Sequence, residues 1–168
     1  MFKIGDRVVH PQHGVGSVVK LGDREFEPGV IRQYYEVSIP GGSTLWVPLD
    51  VRTSGLRRLA LKSEIADCRN ILVSHPEPLP DDTRLRQSNL TERLKEGTIT
   101  AHCELVRDLY AYGKHKSTYG NIASFFQAIE RVLCQELSIV EGISFAEATA
   151  EIEMLLEKSK LTLKEADE

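Results

Sequence analysis

Apolar and polar side chains alternate in short stretches between residues 7 and 59, and each stretch is broken by glycine or proline. Such a period of two predicts strands. Arg7-Val8-Val9-His10 forms the first, and Pro11-Gln12-His13-Gly14 turns the chain. Val15 to Leu21 forms the second, where Gly16 predicts a bend or a close backbone approach. Gly22 to Gly29 reads as an exposed connection, or hairpin tip. Ile31 to Ile39 follows, with Tyr35, Val37 and Ile39 alternating against Tyr34, Glu36 and Ser38. Pro40-Gly41-Gly42 turns into a fourth strand, Thr44 to Val47, and Gly55 to Leu59 gives a short fifth. Five short strands in so few residues predict a small closed barrel of SH3 or Tudor type.

From residue 62 the apolar spacing lengthens to three and four, the helical period. Ser63 is a candidate cap for a helix from Glu64 to Val73. His75-Pro76-Glu77-Pro78-Leu79-Pro80 excludes helix, because each proline removes a donor and restrains the residue before it. A second helix spans Asp81 or Asp82 to Glu96, with Leu85, Asn89 and Leu94 inward and Gly97 as its stop. A third runs to Tyr112 with Leu105, Val106 and Leu109 on one face. Gly113 to Gly120 is a polar break. A fourth carries Ile122, Phe125, Phe126, Ile129, Val132, Leu133 and Leu137, and Glu141-Gly142 ends it. Ser144-Phe145-Ala146-Glu147 is a capping box for a fifth helix containing Ile152, Leu155 and Leu156. The tail from Lys158 is expected to fray. The fold class is thus α+β. A five-stranded barrel domain occupies residues 1–59, and an all-α domain of four to five helices with an acidic tail occupies 60–168.

Composition narrows the function. With 41% hydrophobic and 27% charged residues, the chain has the profile of a folded protein. No apolar run reaches the roughly 20 residues of a membrane helix, and no signal peptide is read at the start, so a cytoplasmic location without membrane contact is expected. The net charge of −4 excludes a globally basic nucleic-acid coat. The charge is uneven: residues 1–58 hold 8 basic and 6 acidic side chains, whereas residues 141–168 hold 3 and 8. Local basic surfaces therefore survive in the rest of the chain. Cys68, Cys103 and Cys134 are too far apart for a zinc knuckle, and each falls in an apolar stretch as a small buried hydrophobe.

The residues offer no catalytic set. His10 and His13 lack further ligands at a telling spacing, so a metal enzyme built on them is the weakest reading. His102 and Cys103 point in different directions on a helix and make a poor dyad. Asp81 and Asp82 suit the positive end of a helix. Gly14-x-Gly16 lacks the third glycine of a dinucleotide site. No enzyme activity, cofactor, metal or small-molecule substrate is expected. Binding features are richer. Trp46, the sole tryptophan, points outward if Leu45 and Val47 point inward. Tyr34, Tyr35 and Trp46 could form an aromatic cage for a cationic peptide. Arg84 and Arg86 begin the second helix, where they could meet phosphates or offset Asp81, Asp82 and Glu92.

The run Phe2-Lys3-Ile4-Gly5-Asp6-Arg7-Val8-Val9-His10-Pro11-Gln12-His13-Gly14-Val15-Gly16, followed by Tyr35-Glu36-Val37 and Leu45-Trp46-Val47-Pro48, resembles the RNA-polymerase-interacting domain of the CarD/CdnL family. Transcription-repair coupling factor carries a similar domain. The helical part also looks CarD-like in Arg84 to Leu90 with Leu94 and Gly97, in Val106-Arg107-Asp108-Leu109, and in Cys134-Gln135-Glu136-Leu137. The resemblance covers residues 2–157. It implies a barrel that binds the β subunit of bacterial RNA polymerase, with Arg24 and Trp46 at polymerase-facing positions. It also implies helices that contact promoter DNA at the upstream edge of the bubble and stabilise the open complex. Arg84 matches a basic DNA-facing position, a second falls on Gln87 beside Arg86, and Lys114 and Lys116 precede a region that is basic in some relatives. The chain departs from the pattern at one point. Many relatives start the second helix with a tryptophan wedge, where this chain has Asp82, or Thr83 in a shifted register. Two alternatives therefore stand beside the main reading: a polymerase-binding adaptor without DNA contact, and a Tudor-like peptide-binding module.

Overall fold

The computed structural model describes residues 1–50, 55–115 and 121–166, with side chains placed up to Gly113 and from Ile122 to Ser159. Five strands come first: β1 (Arg7–His10), β2 (Gly14–Glu27), β3 (Val30–Ile39), β4 (Ser43–Pro48) and β5 (Arg57–Arg58). Five helices follow: α1 (Lys62–Val73), α2 (Thr83–Lys95), α3 (Ile99–His115), α4 (Asn121–Glu141) and α5 (Phe145–Ala166). The architecture is α+β, as the two periods predict.

The sheet is antiparallel in the order β4-β3-β2-β1-β5, and no ladder joins β4 to β5 among the described residues. Its inner face buries Val8, Val18, Tyr35, Val37, Val47 and Leu56. Gly16 is required by packing: a Cβ there would lie 2.7 Å from the Ser38 carbonyl oxygen and from a Val37 methyl. The expected connection at residues 22–29 is instead strand. β2 and β3 pair from Ser17↔Ser38 out to Glu27↔Val30, so the chain reverses only at Pro28-Gly29. Two register shifts, at Val18/Lys20 and Glu25/Glu27, let this long ribbon twist.

The helices share one core built around Ile65, Leu72, Leu105, Leu109, Ile129 and Leu156. Cys68, Cys103 and Cys134 are free thiols within it. Burial pushes the Cys134 thiol up to about 11 and raises Cys103 well above its usual range, so neither is a thiolate at neutral pH. The start of α1 differs from expectation. Ser63 lies inside the helix, and the Glu64 carboxylate accepts from the Leu61 N–H at 2.7 Å. In α2, Leu90 and Leu94 are the buried leucines, whereas Leu85 is 63% exposed and not inward. The tail does not fray at Lys158: α5 continues to Ala166, and Ser159 is buried with its hydroxyl donating to the Ser74 carbonyl. The Ser144–Glu147 capping box forms as predicted, each side chain meeting the other's backbone N–H. The start of the expected break, residues 113–115, lies within α3, and the rest of it, residues 116–120, falls outside the described residues. No helix is long and apolar enough to cross a membrane among the described residues.

A buried ionic knot holds the proline segment to the helices. Asp108 accepts from Arg93 at 2.7 Å, from Arg107 at 2.8 Å and from the Glu77 N–H at 2.9 Å. Arg107 also donates to the Ser74 hydroxyl at 2.7 Å. The linker and α2 are thereby tied to one carboxylate on α3, and Arg107 connects that carboxylate to the end of α1.

Candidate polymerase and nucleic-acid interface

Strand alternation gives the sheet an inner face that holds the core and an opposite, outer face that α4 covers at β1 and the start of β2 through Val132, but not at β3 and β4. On β4, Leu45 and Val47 oppose Val37 and Tyr35, whereas Trp46 opposes Glu36. On β2, Lys20, Gly22 and Arg24 oppose Glu36, Tyr34 and Arg32. Arg24 and Trp46 therefore share the outer face although 22 positions separate them, and the Arg24 guanidinium carbon lies 4.0 Å from the Trp46 ring centroid. A guanidinium over an indole is a cation–π contact that holds the exposed Arg24 against the half-buried Trp46 as one unit at the surface. Phe26 extends this face: it is 59% exposed and meets Tyr34 edge-on, with centroids 5.0 Å apart. Phe26 was hidden because the glycines and charges around it read as a loop. Its alternation with Arg24 becomes visible once residues 22–27 are taken as strand.

The aromatic cage of Tyr34, Tyr35 and Trp46 does not form. Tyr35 is 1% exposed in the sheet core, its hydroxyl accepting from the Phe2 N–H. Adjacent residues of a strand face opposite sides, so Tyr34 and Tyr35 cannot line one cage, and Arg24 already covers one face of Trp46. The peptide-binding alternative in that form is excluded.

The two arginines of α2 have different surroundings. Arg84 is exposed. Arg86 is half-buried: one terminal nitrogen donates to the carbonyls of Pro80 and Asp81, both at 3.0 Å, and its guanidinium lies 5.2 Å from the Tyr112 ring centroid. It therefore braces the linker against the helix start. Asp82 is the N-cap, its carboxylate accepting from the Leu85 N–H at 2.9 Å. Such a cap contributes about 1 kcal/mol, which gives the acid a structural role at this position. Beside it a groove of about 330 Å³ runs between α2 and α4, lined by Thr83, Arg86, Gln87, Leu90, Thr91, Ile122 and Phe125. The side chains of Lys114 and Lys116 lie outside the described residues.

His10 and His13 sit in a tight turn. His10 Nδ1 accepts from the Gln12 and His13 N–H groups at 3.2 and 3.3 Å, and the two rings lie 4.7 Å apart. Burial, with the neighbouring His13, lowers the His10 pKa from 6.5 to about 4. His102 is buried, its Nε2–H donating to the Ile129 carbonyl at 2.7 Å, and burial lowers it to about 4 as well. No group of three or more His, Cys, Asp or Glu is arranged for a metal among the described residues. These histidines set an acid limit on stability. The unfolded chain takes up protons from pH 6.5 downward, the folded chain only near pH 4, so stability falls as pH drops through that window. The urea midpoint should fall across it, and His10→Asn, which keeps an acceptor for the turn, should flatten the slope. An unchanged slope in that variant would remove His10 from the explanation.

The family profile described as "CarD-like/TRCF RID domain" matches residues 2–60, and that described as "CarD, C-terminal domain" matches residues 67–153. The "Putative transcription factor YdeB" of Bacillus subtilis (strain 168) is 28% identical over 151 residues, spanning 86% of this chain and 95% of that protein. With both profiles in register along the sheet and the helices, the chain belongs to the CarD family of RNA-polymerase-interacting transcription regulators.

Proposed function

We propose that the outer sheet face anchors the protein on the polymerase β subunit, and that α2 meets promoter DNA at the upstream edge of the bubble and prolongs the open complex. The observation that carries this reading is the Arg24–Trp46 stack on an exposed sheet face. A preassembled aromatic–guanidinium pair is the chemistry of a binding hot spot, because little side-chain freedom remains to be lost on docking. The DNA side rests on Arg84, which is exposed at the start of α2. Arg86, bound to its own linker, acts mainly by holding that start in place. Stabilisation requires tighter binding to the open than to the closed complex, and a tenfold shift needs only about 1.4 kcal/mol.

The test is the half-life of a promoter open complex at saturating protein. The half-life should lengthen severalfold, and an unchanged half-life refutes the stabiliser role. Arg84→Ala should weaken promoter binding uniformly and reduce the salt slope by about one. Asp82 favours a second reading, a polymerase adaptor without DNA contact, since a carboxylate at the helix start cannot unstack bases and repels phosphate. An unaltered salt slope in Arg84→Ala together with retained β binding would select that reading.

A further inference from the structure

The contact between the sheet and the helices is built from buried polar groups far apart in sequence. Arg57 of β5 donates two hydrogen bonds to Glu136 of α4, both at 2.6 Å. Glu136 is 0% exposed, and its carboxylate also accepts from the Ala60 N–H at 2.8 Å. One residue earlier, the Gln135 side-chain oxygen accepts from the Val15 N–H at 3.4 Å. It approaches so closely that a Cβ on Gly14 would lie 2.1 Å from it. Gly14 therefore serves twice, since its φ of +88° makes the turn and its missing side chain admits Gln135. Val132, one helical turn before Glu136, packs with Val9 and Val15 of the sheet. A separate contact joins Gly55 to Gly97, where a Cβ on Gly97 would lie 3.3 Å from the Gly55 carbonyl oxygen.

We infer that this junction is a rigid clamp, with Arg57, Glu136, Gln135 and Gly14 as positioning residues that hold the helical part at one orientation to the sheet. One contact would leave the parts free to rotate, as is the default for parts joined by a linker. The contacts join two stretches of the sheet part, the β1–β2 turn and residues 55–60, to two of the helical part, α4 and the α2–α3 turn, and together they remove that freedom. The bidentate geometry adds direction, because a guanidinium and a carboxylate meet well in only one plane. The inference rests on the proposed function for its consequence: a sheet docked on polymerase then carries α2 to one location, and interaction gained by α2 is not spent on ordering the two parts.

The test uses the full chain labelled at two exposed positions, Ser43→Cys on β4 and Glu92→Cys on α2, the native thiols being buried. Distances between the labels should form one narrow distribution. A broad distribution in the otherwise native chain overturns the inference whatever the polymerase does. In Arg57→Ala the distribution should broaden. Glu136→Gln serves if that variant does not fold, since it keeps an acceptor for the Ala60 N–H. In a variant with broadened distances, binding to a β-subunit fragment should stay within twofold, while the protein's effect on open-complex lifetime falls at least fivefold. A broadened variant with full effect on lifetime also overturns the positioning role. If the native chain neither binds β nor changes the lifetime, the proposed function fails, and the label distances still decide whether the clamp is rigid.

Discussion

Asp108→Ala should lower stability by about 3–5 kcal/mol, the cost of breaking a buried ion pair by removing one partner. The carboxylate holds two guanidiniums and a backbone N–H at 2.7 to 2.9 Å, and Asp108 is 1% exposed. Its loss leaves Arg107, itself 7% exposed, with its charge uncompensated by that carboxylate. For a chain of this length the midpoint of thermal unfolding should fall by on the order of 10 °C. Asp108→Asn should cost less, because the amide keeps one acceptor oxygen. The exposed pair Arg58–Glu64 gives the contrast: it is also well formed, at 2.9 Å, yet Arg58→Ala should cost under about 1 kcal/mol because water and salt screen it. Denaturant titration at constant slope separates the two, and similar midpoints for Asp108→Ala and Arg58→Ala would refute the argument from burial. The knot also has a functional side. It fixes α2 through Arg93 and the proline segment through Glu77, and so helps set where Arg84 lies.

The order of elements was legible because each part keeps one hydrophobic period. The strand around Val37 alternates cleanly, and the helices around Leu105, Ile129 and Ile152 repeat at three and four. The departures have separate physical causes. Residues 22–27 look like a loop because their side chains are polar, yet a two-stranded ribbon exposed on both faces needs no apolar alternation. Leu85 was expected inward together with Leu94, but nine residues apart at 3.6 per turn they lie on opposite faces of α2, and Leu90, one turn before Leu94, takes the core position instead. The Arg24–Trp46 contact was legible as two outward residues but not as a stack, since it depends on strand register. The ionic contacts were the least legible. Arg57 and Glu136 are 79 positions apart, and nothing local distinguishes them from charges on a solvated surface. Gly14 had a local reason to be glycine, which masked its second role beneath Gln135.

Arg24→Glu should reduce binding to a β-subunit fragment by about 30- to 1000-fold, the range of a hot-spot loss of 2–4 kcal/mol. The substitution removes a donor-rich cation and sets a carboxylate against the negative face of the Trp46 ring, so the pair would be driven apart. Trp46→Ala should weaken binding by tenfold or more through lost contact area. Because the two side chains touch, their losses should not add. The double variant Arg24→Ala with Trp46→Ala should bind more tightly than the product of the single effects predicts, by the worth of an exposed stack, about 0.5–1 kcal/mol. Additive losses would mean that each residue acts alone and that the stack is incidental. Arg24 is exposed and Trp46 lies outside the sheet core, so unfolding midpoints should barely move, which keeps the binding result interpretable. Wild-type affinity in Arg24→Glu would remove the outer face as the anchor. An affinity lost in Arg24→Glu but kept in Arg84→Ala would assign polymerase recognition to the sheet and leave α2 for the promoter.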